Sequence, residues 1–326
     1  MDKIIGLGNA LVDVLATLDD DGALSSMGLP KGGMTLIDGP RLSVISGVLS
    51  RMDTHLSTGG SAGNTIAALA ALGAPTAFVG KVGTDRYGAF LRHSLRARGT
   101  EDRLIEDAAR PSGVAHTFIS PDGERTFATH LGAASALRAS DFTPATFAGY
   151  DCLYVEGYLV QDHDMIARAM QLAKQAGLRV CLDMASYNVV RDDRDFFAQL
   201  LTRYVDTVFA NEEEARAFTG QEPEQALHEL ARTCPIAVVK VGSRGALVQR
   251  GAEVVSVPAT HVPTVRDTTG AGDFFAAGFL YGLTCGLDLE RCGQIGARVS
   301  GEVIQIIGTT LPRATWTAIK DWIQPD

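Results

Sequence analysis

The chain has 326 residues, of which 46% are hydrophobic, 21% charged and 7% aromatic, a globular composition that excludes disorder, a collagen-like chain and a disulfide-stapled miniprotein. Lys and Arg number 29 against 38 Asp and Glu, a net charge of −9, so no basic surplus exists to bind nucleic acid or an anionic membrane. A small anionic ligand needs only a local site and stays open.

Met1-Asp2-Lys3-Ile4-Ile5-Gly6 runs straight into an apolar, strand-like segment without the basic region and cleavage site of a signal peptide. No stretch of about 18 uncharged apolar residues offers a membrane span, and a cytoplasmic protein is expected. Gly6-Leu7-Gly8 begins like a dinucleotide fingerprint, but Leu11 stands where the third Gly belongs. No G-x-x-x-x-G-K-[ST] occurs, which sets aside a Walker-A NTPase as well as a Rossmann dehydrogenase.

Segments 14–18, 35–37, 114–120 and 125–129 read as strands exposed on one face. The last two flank Pro121-Asp122-Gly123-Glu124, a turn in which Pro fixes one φ and Gly accepts a positive one. The hairpin lies between helical regions, so it is expected either to project as a lid over the main sheet or to form an ordinary edge. Lid strands are expected at about 14–38 and 113–130 within one domain spanning 1–326.

The second half alternates short apolar runs (152–156, 179–183, 207–210, 237–241) with helical patterns (164–176, 194–203, 212–219, 223–232). Strands apolar throughout and separated by helices point to a mostly parallel sheet covered on both faces. Asp162-His163-Asp164 reads as a helix start on a solvated face, and Tyr158 either stacks on a ligand ring or packs in the core. The five cysteines are scattered, odd in number and never spaced C-x-x-C, which suits buried free thiols.

Segments 273–284 and 289–307 read as two long apolar helices. Gly270, Ala271 and Gly272 lead into the first, a turn that converges backbone N–H groups at a helix N-terminus, where the dipole favours an anion. Asp273 at that point fits two roles, an N-cap or a carboxylate facing a cleft.

Asp267-Thr268-Thr269-Gly270-Ala271-Gly272-Asp273 and the helix behind it resemble the carboxy-terminal motif of the PfkB family, the ribokinase-type sugar and nucleoside kinases. Gly59-Gly60-Ser61-Ala62-Gly63-Asn64, followed by Gly73 and Gly83, resembles the family's amino-terminal motif with its spacing intact. Ile66 stands where the strict pattern has a small residue, a departure shared by adenosine-kinase-like members. Val79-Gly80-Lys81-Val82-Gly83-Thr84-Asp85-Arg86-Tyr87-Gly88 matches a further family stretch, so the resemblance covers nearly the whole chain.

The resemblance implies a ribokinase-like three-layer α/β/α fold, with a mostly parallel central sheet and a small β-sheet lid. It implies that Asp273 is the catalytic base and that Gly270, Ala271 and Gly272 form the anion hole. Asn9 and Asp13 fall where the family holds substrate hydroxyls, although both also suit the end of a strand. Gly59, Gly60 and Asn64 would bring bare backbone and one amide against the substrate. Asn211 and Glu214 resemble the N-x-x-E motif that organises magnesium and phosphates; read unaided, they make a capped, acidic first helical turn. Lys240, Gly242 and Gly245 resemble the nucleotide-side loop, with Thr268 on the same side. Asp267 and Thr269 match positions that hold a monovalent cation such as K+ in some members. Arg125 would close over phosphates, or is a charge on an exposed strand.

The expected activity is ATP- and Mg2+-dependent phosphorylation of a primary hydroxyl. A nucleoside of adenosine type is preferred, with fructose, ribose or a keto-deoxy sugar acid as the alternative acceptor. A non-catalytic ligand-binding protein on the same scaffold is the reading from another class. The protein is expected to be a monomer, or a homodimer through the lid.

Overall fold

The computed structural model describes residues 1–122 and 124–323, so the positive φ expected at Gly123 lies outside the described residues. Among these, nine strands form a large sheet. Its parallel part runs Ile236–Lys240, Thr207–Asn211, Arg179–Asp183, Cys152–Glu156, Ile4–Leu7, Thr76–Val79, Glu101–Asp102. Ala246–Arg250 and Glu253–Val257 extend it beyond Ile236–Lys240 as an antiparallel edge. The central strands are apolar at almost every position because helices cover both faces. Ile5, Leu7, Val155, Leu182, Val208 and Val239 share one core with helices His163–Gln175, Arg194–Arg203, Glu212–Thr219 and Pro223–Thr233. The alternate residues Ile4, Tyr154, Phe209 and Val238 share the other with Ser61–Leu72, Ala271–Thr284 and Leu289–Val303. Each such aliphatic or aromatic side chain contributes about 1.5–3 kcal/mol by leaving water.

The helix expected over 289–307 ends at Val303. There the chain turns back: the Ile304 carbonyl accepts from the N–H groups of Arg266 (2.8 Å) and Asp267 (3.2 Å), and the Gly308 N–H donates to Asp267 Oδ2 at 2.9 Å. Asp162 caps the helix that follows it, accepting from the Met165 N–H at 3.0 Å. His163 stacks on Phe196, as a solvated helix start allows.

A separate five-stranded sheet runs Met34–Leu36, Arg125–His130, Gly113–Ile119, Leu11–Thr17, Thr54–Gly59. Leu11–Thr17 alternates half-buried and buried residues, the pattern of a strand with one covered face. Gly113–Ile119 departs from the exposed face expected of it and is buried at every position. It is the central strand: Val114 and Phe118 join the core with Val14, Ala128 and Ile45, while Ala115 and Thr117 lie in register with Asp13 and Leu15. Thr54–Gly59 has no apolar alternation to announce it and forms an edge, held by pairing with Leu11–Thr17. Four cysteines are buried and free as expected; Cys285, just past the end of the Ala271–Thr284 helix, is exposed. No helix among the described residues is long and apolar enough to cross a membrane.

Candidate active site

Parallel winding sets the carboxyl ends of four neighbouring strands side by side, and each ends in a polar residue: Glu156, Asp183, Asn211 and Lys240. Glu156 pairs in register with Asp183, and Asn211 with Lys240. Glu156 is 1% exposed and accepts from the Asn9 N–H (2.9 Å), the Asn9 Nδ2 amide (2.7 Å) and the Ala62 N–H (2.9 Å). One N–H of the Asn9 amide, a group expected on a substrate hydroxyl, therefore goes to Glu156. Burial holds this carboxyl above the usual range. Asp183, equally buried, accepts from Lys240 Nζ at 2.8 Å. The sequence reading missed both acids; the available signal was an acidic residue closing an otherwise apolar strand.

The helix expected to open at Asp273 begins at Ala271, with Gly270 as its N-cap at φ 76°. Asp273 is thus not the cap. Its Oδ1 accepts from Ser61 Oγ at 2.7 Å and its Oδ2 from Asn64 Nδ2 at 2.9 Å. One N–H of the Asn64 amide, a group expected against the substrate, fixes this carboxylate. Ser61 escaped the sequence reading because only its fold partner reveals its use. Gly60 is the N-cap of the Ser61–Leu72 helix, and Gly59 lies against the Asp13 carboxylate with no room for a β-carbon.

Asp273 is half-buried, and its neighbour Gly272 lines the cavity described below. Burial pushes its carboxyl up to about 7, opposed by the Ser61 and Asn64 donors. Asp13 is likewise raised to about 7 by burial, with Arg125 pulling it down. Of the three amides expected to face an anion, that of Ala271 donates to the Thr268 carbonyl at 3.1 Å. Among the described residues, nothing accepts from the amides of Gly270 and Gly272, so these two remain at the positive end of the helix.

A cavity of about 630 Å³ opens beside this turn. Asn211, Lys240, Gly242, Gly245, Thr268 and Gly272 line it together with the apolar Val262, Phe275, Ala297 and Ile304. Asn211 and Glu214 form a reciprocal capping box: the Asn211 N–H and amide donate to Glu214 at 2.7 Å each, and the Glu214 N–H donates back at 2.8 Å. Glu214 is 2% exposed and raised to about 7 by burial, against the pull of Lys240. Among the described residues no group of three or more His, Cys, Asp or Glu could hold a metal. Both Glu214 oxygens and Asn211 Oδ1 are taken up in this box, so the pair fits a magnesium ion only through water, the ion being held mainly by phosphates.

Arg125 is no exposed-strand charge. Its guanidinium forms an ion pair with Asp267 at 2.7 Å, the side chains being 9% and 6% exposed. Asp267 also accepts from the Thr269 N–H at 3.0 Å and the Gly308 N–H at 2.9 Å, so both its carboxylate oxygens have protein partners. The pair joins the small sheet to the segment that delivers Asp273. Tyr158 packs half-buried against the core.

A carboxylate held at the mouth of a glycine turn, with a helix N-terminus and a buried lysine beside one cleft at the carboxyl edge of a parallel sheet, defines a phosphotransferase acting on a hydroxyl group. The profile of the pfkB family carbohydrate kinases matches residues 34–316, and the chain belongs to that family. Adenosine kinase from Sinorhizobium meliloti superposes with a TM-score of 0.87 at 37% identity, covering 98% of this chain and 99% of that one. Adenosine kinase 2 from Arabidopsis thaliana is 25% identical over 95% of both chains. Ribokinase from Haemophilus influenzae is 27% identical over 77% of this chain and 83% of its own. The chain therefore has the ribokinase-like α/β fold on the adenosine-kinase-like branch.

Proposed function

We propose that this kinase transfers the γ-phosphoryl group of ATP to the 5′-hydroxyl of an adenosine-type nucleoside. The observation that carries the reading is Asp273, fixed by Ser61 and Asn64 at the mouth of the Gly270–Gly272 turn. Asp273 takes the hydroxyl proton as the new P–O bond forms and the bond to ADP breaks. A base titrating near 7 suits this work at neutral pH. The free amides of Gly270 and Gly272 face the charge on the group in transfer. Asn211 and Glu214 would help organise Mg2+ through water, and the ion when bound neutralises phosphate charge. Asp13 accepts substrate hydroxyls, and Arg125 holds the small sheet over the cleft as a lid that excludes water.

The adenosine kinases found at near-full coverage support a nucleoside acceptor. Asp13 and Asp273, both half-buried, also flank the turn from Gly59 to Ser61, so a keto-deoxy sugar acid would meet like charge there. A neutral sugar is the second reading, favoured by the ribokinase similarity. A panel of nucleosides and neutral sugars assayed for ADP release with Mg2+ separates them. Turnover is expected on adenosine-type nucleosides; turnover on free sugars alone overturns the acceptor, and binding with no ADP formed on any compound overturns the kinase reading.

A further inference from the structure

Lys240 ends a sheet strand at the floor of the cleft, and the reading above gives it no chemical task. Its ammonium is deeply set, with the side chain 14% exposed beside Asp183 at 6%. Among the described residues it donates one hydrogen bond, to Asp183 Oδ2 at 2.8 Å. An ammonium carries three N–H donors, so two remain for a ligand in the cavity that Lys240 lines. The direction they face is set by Gly272: a β-carbon there would lie 3.0 Å from Lys240 Nζ. The ammonium thus occupies the space left by a missing side chain, against the turn whose free amides meet the anion.

The surrounding charges keep it protonated. Burial acts to lower its affinity for the proton, but Asp183 and Glu214 outweigh this and hold it above the ordinary lysine range. A permanent cation beside two unsatisfied amides and a helix N-terminus is suited to an oxygen that gains negative charge.

We propose that Lys240 is a catalytic residue of the transfer: anchored by Asp183 against Gly272, its ammonium donates to the oxygens of the phosphoryl group in flight. This rests on the kinase reading. The bond changes are those already given, from ADP to the acceptor oxygen, with the hydroxyl proton going to Asp273; Lys240 gains and loses no proton. Gly272 is then glycine because the cation must reach past it.

Lys240→Met alone strands a buried Asp183, so the test uses Lys240→Met combined with Asp183→Asn, checked for folding by circular dichroism and melting temperature. Two readouts are taken: binding of ADP and of β,γ-methylene-ATP by calorimetry, and kcat against pH on an acceptor the wild type phosphorylates. Removing one preorganised donor to a developing anion costs about 10²–10³ in kcat. The double variant is expected to bind ADP within about threefold of wild type, to lose the preference for the triphosphate analogue, and to show that fall in kcat even on the high-pH plateau. Lys240 also helps keep Asp273 ionised. Asp183 opposes this at least as strongly, so with both charges removed a purely electrostatic role would leave the plateau intact and the acid limb unmoved or lowered, and that result overturns the proposal. So does an unchanged preference for the triphosphate. If the wild type binds neither nucleotide and releases no ADP, the kinase reading itself falls, an outcome seen before any variant is made.

Discussion

The large sheet and the small sheet both supply charge to the cleft, and they do so in opposite ways. The large sheet presents its groups at strand ends, each tied to a neighbour: Glu156 to Asn9 and Ala62, Asp183 to Lys240, Asn211 to Glu214. The small sheet presents Asp13 from within one strand and Arg125 at the start of another, and among the described residues its charged link to the catalytic segment is the Arg125–Asp267 pair. One region is preorganised by dense hydrogen bonding, and the other, among the described residues, meets the catalytic segment through one ion pair besides the core they share. A kinase needs both, since a fixed base serves chemistry while a separable cover admits and seals in the substrate.

The sharpest way to break the preorganised side is Asp273→Asn. General-base assistance is worth about 10²–10⁴ in rate, so kcat should fall by that factor in a coupled ADP assay while nucleotide affinity holds. For the wild type, kcat/KM should drop as pH falls through about 7, because protonating Asp273 removes the base. Stability moves the other way. The folded-state pKa is raised, so the ionised carboxylate costs stability that is absent below the unfolded value of 3.8 and fully present above about 7. The Asn variant should accordingly melt higher than wild type at pH 8.

The attached side is broken by Arg125→Met, which leaves Asp267 buried without its cation. Loss of one partner of a buried pair is expected to cost about 2–3 kcal/mol in a urea titration, moderated by the two N–H groups that still reach Asp267. Adding Asp267→Asn should restore most of that stability. A double variant as unstable as the single one would show that the pair does not tether the small sheet.

A smaller effect sharpens the comparison. Ser61→Ala and Asn64→Ala each remove one hydrogen bond to the Asp273 carboxylate, worth about 1.5–3 kcal/mol when the acceptor is charged. Both donors lower the Asp273 pKa, so the acid limb of the rate profile should move above 7. Part of the lost rate should return at higher pH. Loss with an unmoved limb would mean that the two residues act on the substrate instead.

The same contrast separates what was legible in the sequence from what was not. Thr207–Asn211 and Ile236–Lys240 were visible as apolar runs because a strand covered on both faces needs no polar side. Arg194–Arg203 and Glu212–Thr219 showed their helical spacing. Thr54–Gly59 was invisible, since Thr-His-Leu-Ser-Thr-Gly has no apolar face and its partner Leu11–Thr17 lies far back in the chain. The burial of Gly113–Ile119 depended on its central position in the small sheet, which local pattern does not encode.

In the site, the sequence by itself determined the glycine turn, the helix behind it and the acid at its mouth, because turn chemistry and helix entry are written in adjacent residues. Tertiary structure alone decided what holds that acid. Ser61 and Asn64 reach Asp273 across more than 200 residues of chain, Asn9 donates to Glu156, and Arg125 is turned to Asp267. The physical reason is that a strand's neighbours along the sequence fix its pattern, whereas the partner of a polar side chain depends on which strand ends the winding of the sheet brings together.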